Sequence, residues 1–142
     1  TGGVYSANVT LVGGDGTKNV TVSQTDAAGN SGTANRDFIL DNTAPSILIT
    51  GPAANTAAQT GLTVVGTCTV GLPVDISGAG VSAPSSTSCT GGNFSAPVTF
   101  STGDGVKNII ASQTDAAGNR GSDNRDFVRD TTTEGRPFRV WT

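Results

Sequence analysis

The sequence predicts an all-β protein built from repeated modules, and three observations support this fold class. Gly makes up 20 of the 142 residues, Met and His are absent, and no window shows the apolar stripe of period 3.6 that is typical of a helix. Several short segments instead alternate apolar and polar residues with the period of two that strands require. The stretch SQTDAAGN occurs twice, at residues 23–30 and 112–119.

The repeat extends far beyond these eight residues. Sliding the sequence by 89 positions (112 − 23) aligns residues 1–41 with residues 90–130 without a gap, and 26 of the 41 pairs are identical. A fixed period of this size is typical of an array of small domains. The alignment therefore predicts the C-terminal part of one module at 1–41, a linker at 42–45, a complete module at 46–130, and a tail or the start of a next module at 131–142.

The alternation places strands inside the modules. In YSANVTL the residues Tyr5, Ala7, Val9 and Leu11 share one face, and the second copy keeps this pattern. The complete module contains seven predicted strands, at about residues 46–50, 62–69, 73–77, 81–88, 94–100, 107–114 and 123–129. Residues that favour turns separate them. Seven short strands within one period of this length predict an immunoglobulin-like sandwich, present here as one partial and one complete repeat.

Two motifs make the resemblance more specific. SQTDAAGN precedes the last hairpin, and LDNTAPSILIT leads from one module to the next. Over residues 1–130 the chain resembles the bacterial immunoglobulin-like repeats found in tandem in large surface adhesins. The resemblance implies an extracellular or cell-surface location and a stalk or spacer role, with neighbouring modules or neighbouring subunits as partners. It does not identify a ligand.

Composition and motifs exclude several other classes of function. The formal net charge is −3 and basic clusters are absent, which argues against nucleic-acid binding. No run of 18 apolar residues exists, so direct membrane insertion is not expected. Without His, a nucleophile paired with a base, or a phosphate-binding loop, the sequence does not predict an enzyme. A carbohydrate- or receptor-binding module is disfavoured by the few aromatic residues, most of which fall on predicted core faces.

The repeated DAAGN segment has two interpretations. It is a hairpin turn, in which Asp26 or Asp115 binds nearby backbone and the following Gly takes a left-handed conformation. Alternatively it contributes to a calcium site between modules, because calcium prefers six to eight oxygen ligands and related adhesin repeats often hold calcium at their junctions. In a sandwich, the last hairpin turn lies where the chain enters the module and the GDG loop lies where it leaves. The candidate ligands of the junction between the two modules are Asp15, Asp41, Asn42, Asp115 and Asn119.

Cys68 and Cys89 are the only cysteines, and an even count in a secreted-looking chain favours a disulfide between them over two free thiols. Gln24 and Gln113 fall on faces predicted to point inward, where a buried amide needs partners, so we expect them to bind loop backbone. Lys107 lies at a predicted strand start and is expected to be exposed. An isopeptide bond to a nearby Asn is therefore not predicted.

The two ends of the chain leave alternatives open. Residues 1–41 offer three strands and one face of a sandwich, so a second sheet must come from elsewhere in a longer polypeptide, from strand exchange between two chains, or from a neighbouring filament subunit. In the tail, Phe138, Val140 and Trp141 form either a partner contact or the first strand of another domain. The sequence thus favours a stalk module of an adhesin-like protein, with a fibre subunit assembled by strand complementation as the alternative.

Overall fold

The computed structural model describes residues 3–133, and this part of the chain is all β-structure without a helix. No helix long and apolar enough to cross a membrane is therefore found in this range. The chain divides into two compact units, Thr1–Thr43 and Ala44–Thr142. The described residues form ten strands in order: β1 (Gly16–Thr25), β2 (Ser31–Leu40), β3 (Leu48–Gly51), β4 (Ala57–Ala58), β5 (Gly61–Thr67), β6 (Pro73–Ser77), β7 (Ser85–Ser88), β8 (Asn93–Thr99), β9 (Gly105–Thr114) and β10 (Arg120–Arg129).

The second unit consists of two sheets that share one core. The larger sheet has the order β4-β10-β9-β6-β7 and the smaller has the order β3-β5-β8. All neighbours are antiparallel except β4 and β10, which run parallel. The core draws on both sheets and consists of Ile47, Ile49, Val64, Val74, Ile76, Cys89, Phe94, Ala96, Val98, Phe100, Ile109, Ala111 and Phe127. This arrangement is a β-sandwich.

Alternation along β8 builds one wall of this core. Phe94, Ala96 and Val98 are buried, and the residues between them are exposed. This confirms the face predicted from the sequence. Pro97 lacks a backbone N–H, and β8 indeed lies at the edge of the three-stranded sheet, where a missing donor is tolerated.

Up to residue 133, the second unit contains one strand more than the seven expected. The additional element is β4, whose two alanines show no apolar alternation that a sequence pattern could detect. Backbone hydrogen bonds hold it to β10: the Val128 N–H donates to Thr56 O over 3.1 Å, and the Asp130 N–H donates to Ala58 O over 3.1 Å.

Gln113 is fully buried and fastens the loop between β5 and β6. Its Oε1 accepts a hydrogen bond from the Thr69 N–H over 2.8 Å, and its Nε2 donates to Thr69 O and Leu72 O, each over 3.0 Å. The amide therefore meets its hydrogen-bonding needs with loop backbone, as the sequence predicted. Each bond also satisfies a backbone group that the loop leaves without a strand partner.

A disulfide also holds the start of this loop. Cys68 follows β5 directly and is bonded to Cys89, which lies between β7 and β8, with a sequence separation of 21 residues. The predicted pairing is therefore present. Closing a loop of this length stabilises the folded state by about 3 kcal/mol in the chain-entropy model.

Lys107 is buried, so its predicted exposure was wrong. It occupies an inward-facing position of β9, from which Nζ donates to Thr102 O over 3.0 Å and to Ser101 Oγ over 3.2 Å. The aliphatic part of the side chain is buried, and the ammonium group at its end donates hydrogen bonds to polar atoms of the loop.

The first unit contains a hairpin of β1 and β2, paired over ten residues from Gly16↔Leu40 to Thr25↔Ser31. The strand predicted over Tyr5–Leu11 does not form. Its counterpart in the second unit, β8, is held by hydrogen bonds to β5. Among the described residues of the first unit, β1 and β2 pair with each other and no strand takes the place of β5 beside the Tyr5–Leu11 segment.

We predict that Gln113→Ala lowers the free energy of unfolding of the second unit by about 2–4 kcal/mol, because three backbone groups of the loop lose their buried partner. Gln24→Ala changes the matched position of the first unit, where the side chain is exposed, and should change stability by less than about 0.5 kcal/mol. Urea unfolding of both variants checks this difference. Equal effects at the two positions would contradict the role given to Gln113.

Candidate functional site

The repeated DAAGN stretch forms the same turn in both units. In the second unit, Asp115 Oδ1 accepts hydrogen bonds from the backbone N–H groups of Ala117 and Asn119, each over 2.9 Å, and Oδ2 accepts one from Asn119 Nδ2 over 2.9 Å. Gly118 has φ 92°, a left-handed conformation that a residue with a Cβ adopts only with strain. The sequence SQTDAAGN thus contains all the groups that close this turn.

The first unit reproduces these contacts. Asp26 Oδ1 accepts from the N–H groups of Ala28 and Asn30, Asp26 Oδ2 accepts from Asn30 Nδ2, and all three distances are 2.9 Å. Gly29 has φ 89°. Because the turn is the same in both units, its geometry is set locally by the five residues of the DAAGN segment.

The turn carboxylates are stabilised in their charged form. The hydrogen bond from the Asn119 side chain, with further backbone N–H donors of the turn, holds the pKa of Asp115 below its ordinary value of 3.8. The Asn30 side chain and the backbone lower the pKa of Asp26 in the same way.

In each unit, a carboxylate in the loop before the hairpin binds the chain segment that follows the hairpin. Asp15, in the GDG loop before β1, accepts hydrogen bonds from the Asn42 N–H over 2.8 Å, from Asn42 Nδ2 over 3.1 Å and from the Thr43 hydroxyl. These donors, Thr43 first, lower the pKa of Asp15. In the second unit Asp104 accepts from the Thr131 N–H over 3.1 Å and from the Thr131 hydroxyl over 2.9 Å. We call this arrangement the linker clamp.

The last residue of each aligned repeat completes the linker clamp. Asp41 Oδ1 accepts from the Thr43 N–H over 3.0 Å, and Asp130 Oδ1 accepts from the Thr132 N–H over 2.9 Å. The Thr132 hydroxyl also donates to Asp130 and is the main cause of the lowered pKa of that carboxyl group. In each unit, a carboxylate in the loop before the hairpin and a carboxylate at the end of the hairpin thus both accept backbone N–H groups from the residues that follow the repeat.

The five predicted calcium ligands fall into two groups. Asp15 and Asn42 bind each other in the first unit, with Asp41 adjacent in sequence, and Asp115 binds Asn119 in the second unit. Within residues 3–133, no group of three or more His, Cys, Asp or Glu side chains is close enough to hold a metal ion. A calcium ion at these carboxylates would compete with the N–H and hydroxyl donors described above. The junction site remains a prediction.

A polar contact that the sequence analysis missed joins β10 to β3. Arg125 donates through Nη1 to Pro52 O over 2.6 Å and through Nη2 to Ile49 O, while Asp123 Oδ2 accepts from the Ile49 N–H over 2.8 Å. The available signal was NRDF, which both copies of the repeat contain.

The first unit exposes apolar side chains whose aligned counterparts in the second unit are buried. A shallow depression follows the hairpin on this side, and we call its surface the open face; its lining residues are Tyr5, Ala7, Val9, Leu11, Val20, Val22, Ala34, Asn35, Arg36 and Phe38. An exposed apolar surface of this kind is typical of an interaction site. Phe138, Val140 and Trp141, predicted as a partner contact, lie outside the described residues.

Neither the models of known protein families nor the sequences of characterised proteins match this chain. The repeated turns, the linker clamp and the open face are therefore the features that indicate a function for this chain.

We predict that Asp115→Asn removes part of the acid sensitivity of the second unit. Because the pKa of Asp115 is lowered in the folded state, its contribution to stability is complete above the ordinary value of 3.8 and is lost as the pH falls through the lower folded value. Urea unfolding from neutral pH to well below 3.8 should therefore show a flatter acid limb for Asp115→Asn than for the unchanged protein. Parallel acid limbs for the two proteins would contradict this assignment.

Proposed function

We propose that this chain is a structural stalk or spacer segment of a secreted or surface-anchored bacterial adhesin-like protein. The observation that supports this most directly is the linker clamp, which occurs at the same place in both repeats. A protein whose modules serve to hold something at a distance needs the chain to leave every module in a defined direction. The backbone N–H groups of Asn42 and Thr131 donate hydrogen bonds to Asp15 and Asp104, and these bonds supply that constraint locally.

The strand order of the second unit supports an immunoglobulin-like fold. If β3 and β4 are counted as two halves of a split first strand, the unit has seven strands. The second and fifth of these, β5 and β8, then pair in one sheet, and the third, sixth and seventh, β6, β9 and β10, lie together in the other. That distribution is the one found in immunoglobulin-type sandwiches.

The disulfide favours an extracellular or cell-surface location. Bonds such as Cys68–Cys89 form and persist in oxidising compartments and are rare where thiols are kept reduced. The proposed role is mechanical and needs no catalytic site.

We further propose that calcium stiffens the junction between modules. Asp15, Asp41 and Asn42 at the end of one repeat, with Asp115 and Asn119 in the entry turn of the next, provide the oxygen ligands that calcium prefers. A bound ion would hold together carboxylates that repel one another when the site is empty.

The alternative is a fibre subunit assembled by strand complementation between chains. The two-stranded sheet and its open face favour it, because a donated strand pairs with a sheet edge and covers apolar side chains that are otherwise exposed.

We predict that Asp104→Ala loosens the linker that follows the second unit. The N–H and hydroxyl of Thr131 lose their acceptor, so the backbone amide order parameter of Thr131 should fall from about 0.85 to below about 0.6. Backbone ¹⁵N relaxation measures this change. Asp126→Ala is the matched control, since Asp126 binds the Asn108 side chain over 2.7 Å and does not hold the linker. An unchanged order parameter in Asp104→Ala would contradict the proposed clamp.

We predict that calcium raises the melting temperature of the chain by several degrees relative to excess chelator, because a ligand at a hundred times its Kd stabilises the folded state by about 2.7 kcal/mol. Asp41→Ala or Asp115→Ala should abolish the shift. Asp37→Ala, which changes an exposed carboxylate on β2, should preserve it. Identical melts with calcium and with chelator would rule out the calcium junction and leave the linker clamp as the proposed source of stiffness.

A further inference from the structure

We propose that the open face of the first unit is a docking site for one kind of partner, a polypeptide segment with the sequence pattern of residues 44–89. Such a segment is the first half of a repeat. In the second unit, residues 44–89 supply β3 to β7: β3 and β5 join β8 in the sheet opposite the hairpin, while β4 and β6 pair with β10 and β9 at the two edges of the hairpin. The internal repeat therefore serves as a template for the missing partner.

The aligned side chains show how closely the two surfaces correspond. Tyr5 is 70% exposed and its counterpart Phe94 is 3% exposed. Phe38 is 45% exposed, while its counterpart Phe127 is fully buried. The first unit thus exposes, at matching positions, apolar side chains whose counterparts form part of the buried core of the second unit.

Two polar side chains of the first unit occupy positions that bind residues 44–89 in the second. Arg36 aligns with Arg125, which donates to the carbonyls of Ile49 and Pro52. Gln24 aligns with Gln113, which binds the backbone of Thr69 and Leu72. These contacts recognise backbone at fixed places, which distinguishes a peptide segment from a lipid or another apolar ligand.

Gly32 preserves the space that the incoming chain needs. It aligns with Gly121, where an added Cβ would lie 1.9 Å from the carbonyl oxygen of Pro45. At Gly32 itself an added Cβ would meet no atom within 4 Å. The glycine is therefore not required by the first unit as it stands, but it is required once a segment like the one containing Pro45 passes beside it.

A second copy of the whole chain is a poorer partner than a separate half-repeat. Its residues 44–89 already cover their own β8, β9 and β10, and the disulfide closes a loop within them. Withdrawing them would expose the core of the donor's second unit, so nothing would be gained in buried apolar surface.

The alignment indicates how to supply the segment. Thr1 corresponds to Thr90, so fusing a copy of residues 44–89 directly before Thr1 of the full chain places the donated half in frame. The donated copy contains its own Cys68–Cys89 pair. Amide hydrogen exchange of β1 and β2 is the readout, and we expect it to slow by at least about a hundredfold in the fused chain, because covering an exposed hairpin raises its opening free energy.

Gly32→Leu provides the decisive comparison. In the unfused chain the substitution faces open space and should leave exchange in β1 and β2 unchanged. In the fused chain it should abolish the added protection. A fused chain that carries Ile49→Asp and Val64→Asp in the donated copy alone should also show none.

Exchange rates that are equal in the fused and unfused chains would overturn the proposal, as would a fused chain indifferent to Gly32→Leu. Protection already present in the unfused chain, together with a dimer mass by light scattering, would assign the face to a second copy instead. None of these results depends on calcium or on the linker clamp, so failure here is distinguishable from failure of the stalk proposal.

Discussion

The structure depends on the apolar face of one hairpin being covered by a second sheet. In the second unit that hairpin is β9–β10, and Ile109, Ala111 and Phe127 are fully buried against the opposite layer. Burying each large apolar side chain of this kind is worth about 1.5–3 kcal/mol. The first unit has the same hairpin without the cover. The first unit retains the ten-residue pairing of the hairpin, whereas its Tyr5–Leu11 segment forms no strand.

Polar groups fix where the covering strands lie. Arg125 and Asp123 hold the backbone of β3, and Gln113 holds the loop between β5 and β6. Apolar burial excludes a slip of one residue, which would turn the apolar side chains to the other face, but it does not by itself distinguish registers that differ by two residues. Directed hydrogen bonds do, because a shifted strand would leave buried polar groups without partners. The core therefore provides most of the stabilisation, and these few side chains decide which arrangement of the strands is stabilised.

Much of this architecture could be predicted from the sequence, because it follows from local patterns. The alternation in residues 94–100, the Cys68–Cys89 pair and the backbone contacts of Gln113 are all present as expected. Three features could not be predicted for physical reasons. The strand β4 has no apolar alternation and is recognised only by its backbone pairing. Lys107 is buried because its position on β9 faces inward. The segment Tyr5–Leu11 forms no strand because no described strand lies beside it to accept its hydrogen bonds. For the candidate site, the turn interpretation of Asp26 and Asp115 agrees with the structure, whereas Asp15 and Asp41 were predicted only as calcium ligands. The hydrogen bonds from Asn42 to Asp15 and from Thr131 to Asp104 were not predicted, because they join residues 27 positions apart and depend on how the loop and the linker come together.

The disulfide has a consequence for a protein under tension. Each residue of an unfolded chain extends by at most about 3.5 Å, so the roughly 20 residues enclosed between Cys68 and Cys89 represent about 70 Å of length. While the bond is intact, pulling on the ends of the second unit cannot release that length. A module that unfolds under force therefore lengthens in two stages. The residues outside the disulfide loop extend under force alone, and the residues inside it extend only after the bond is reduced.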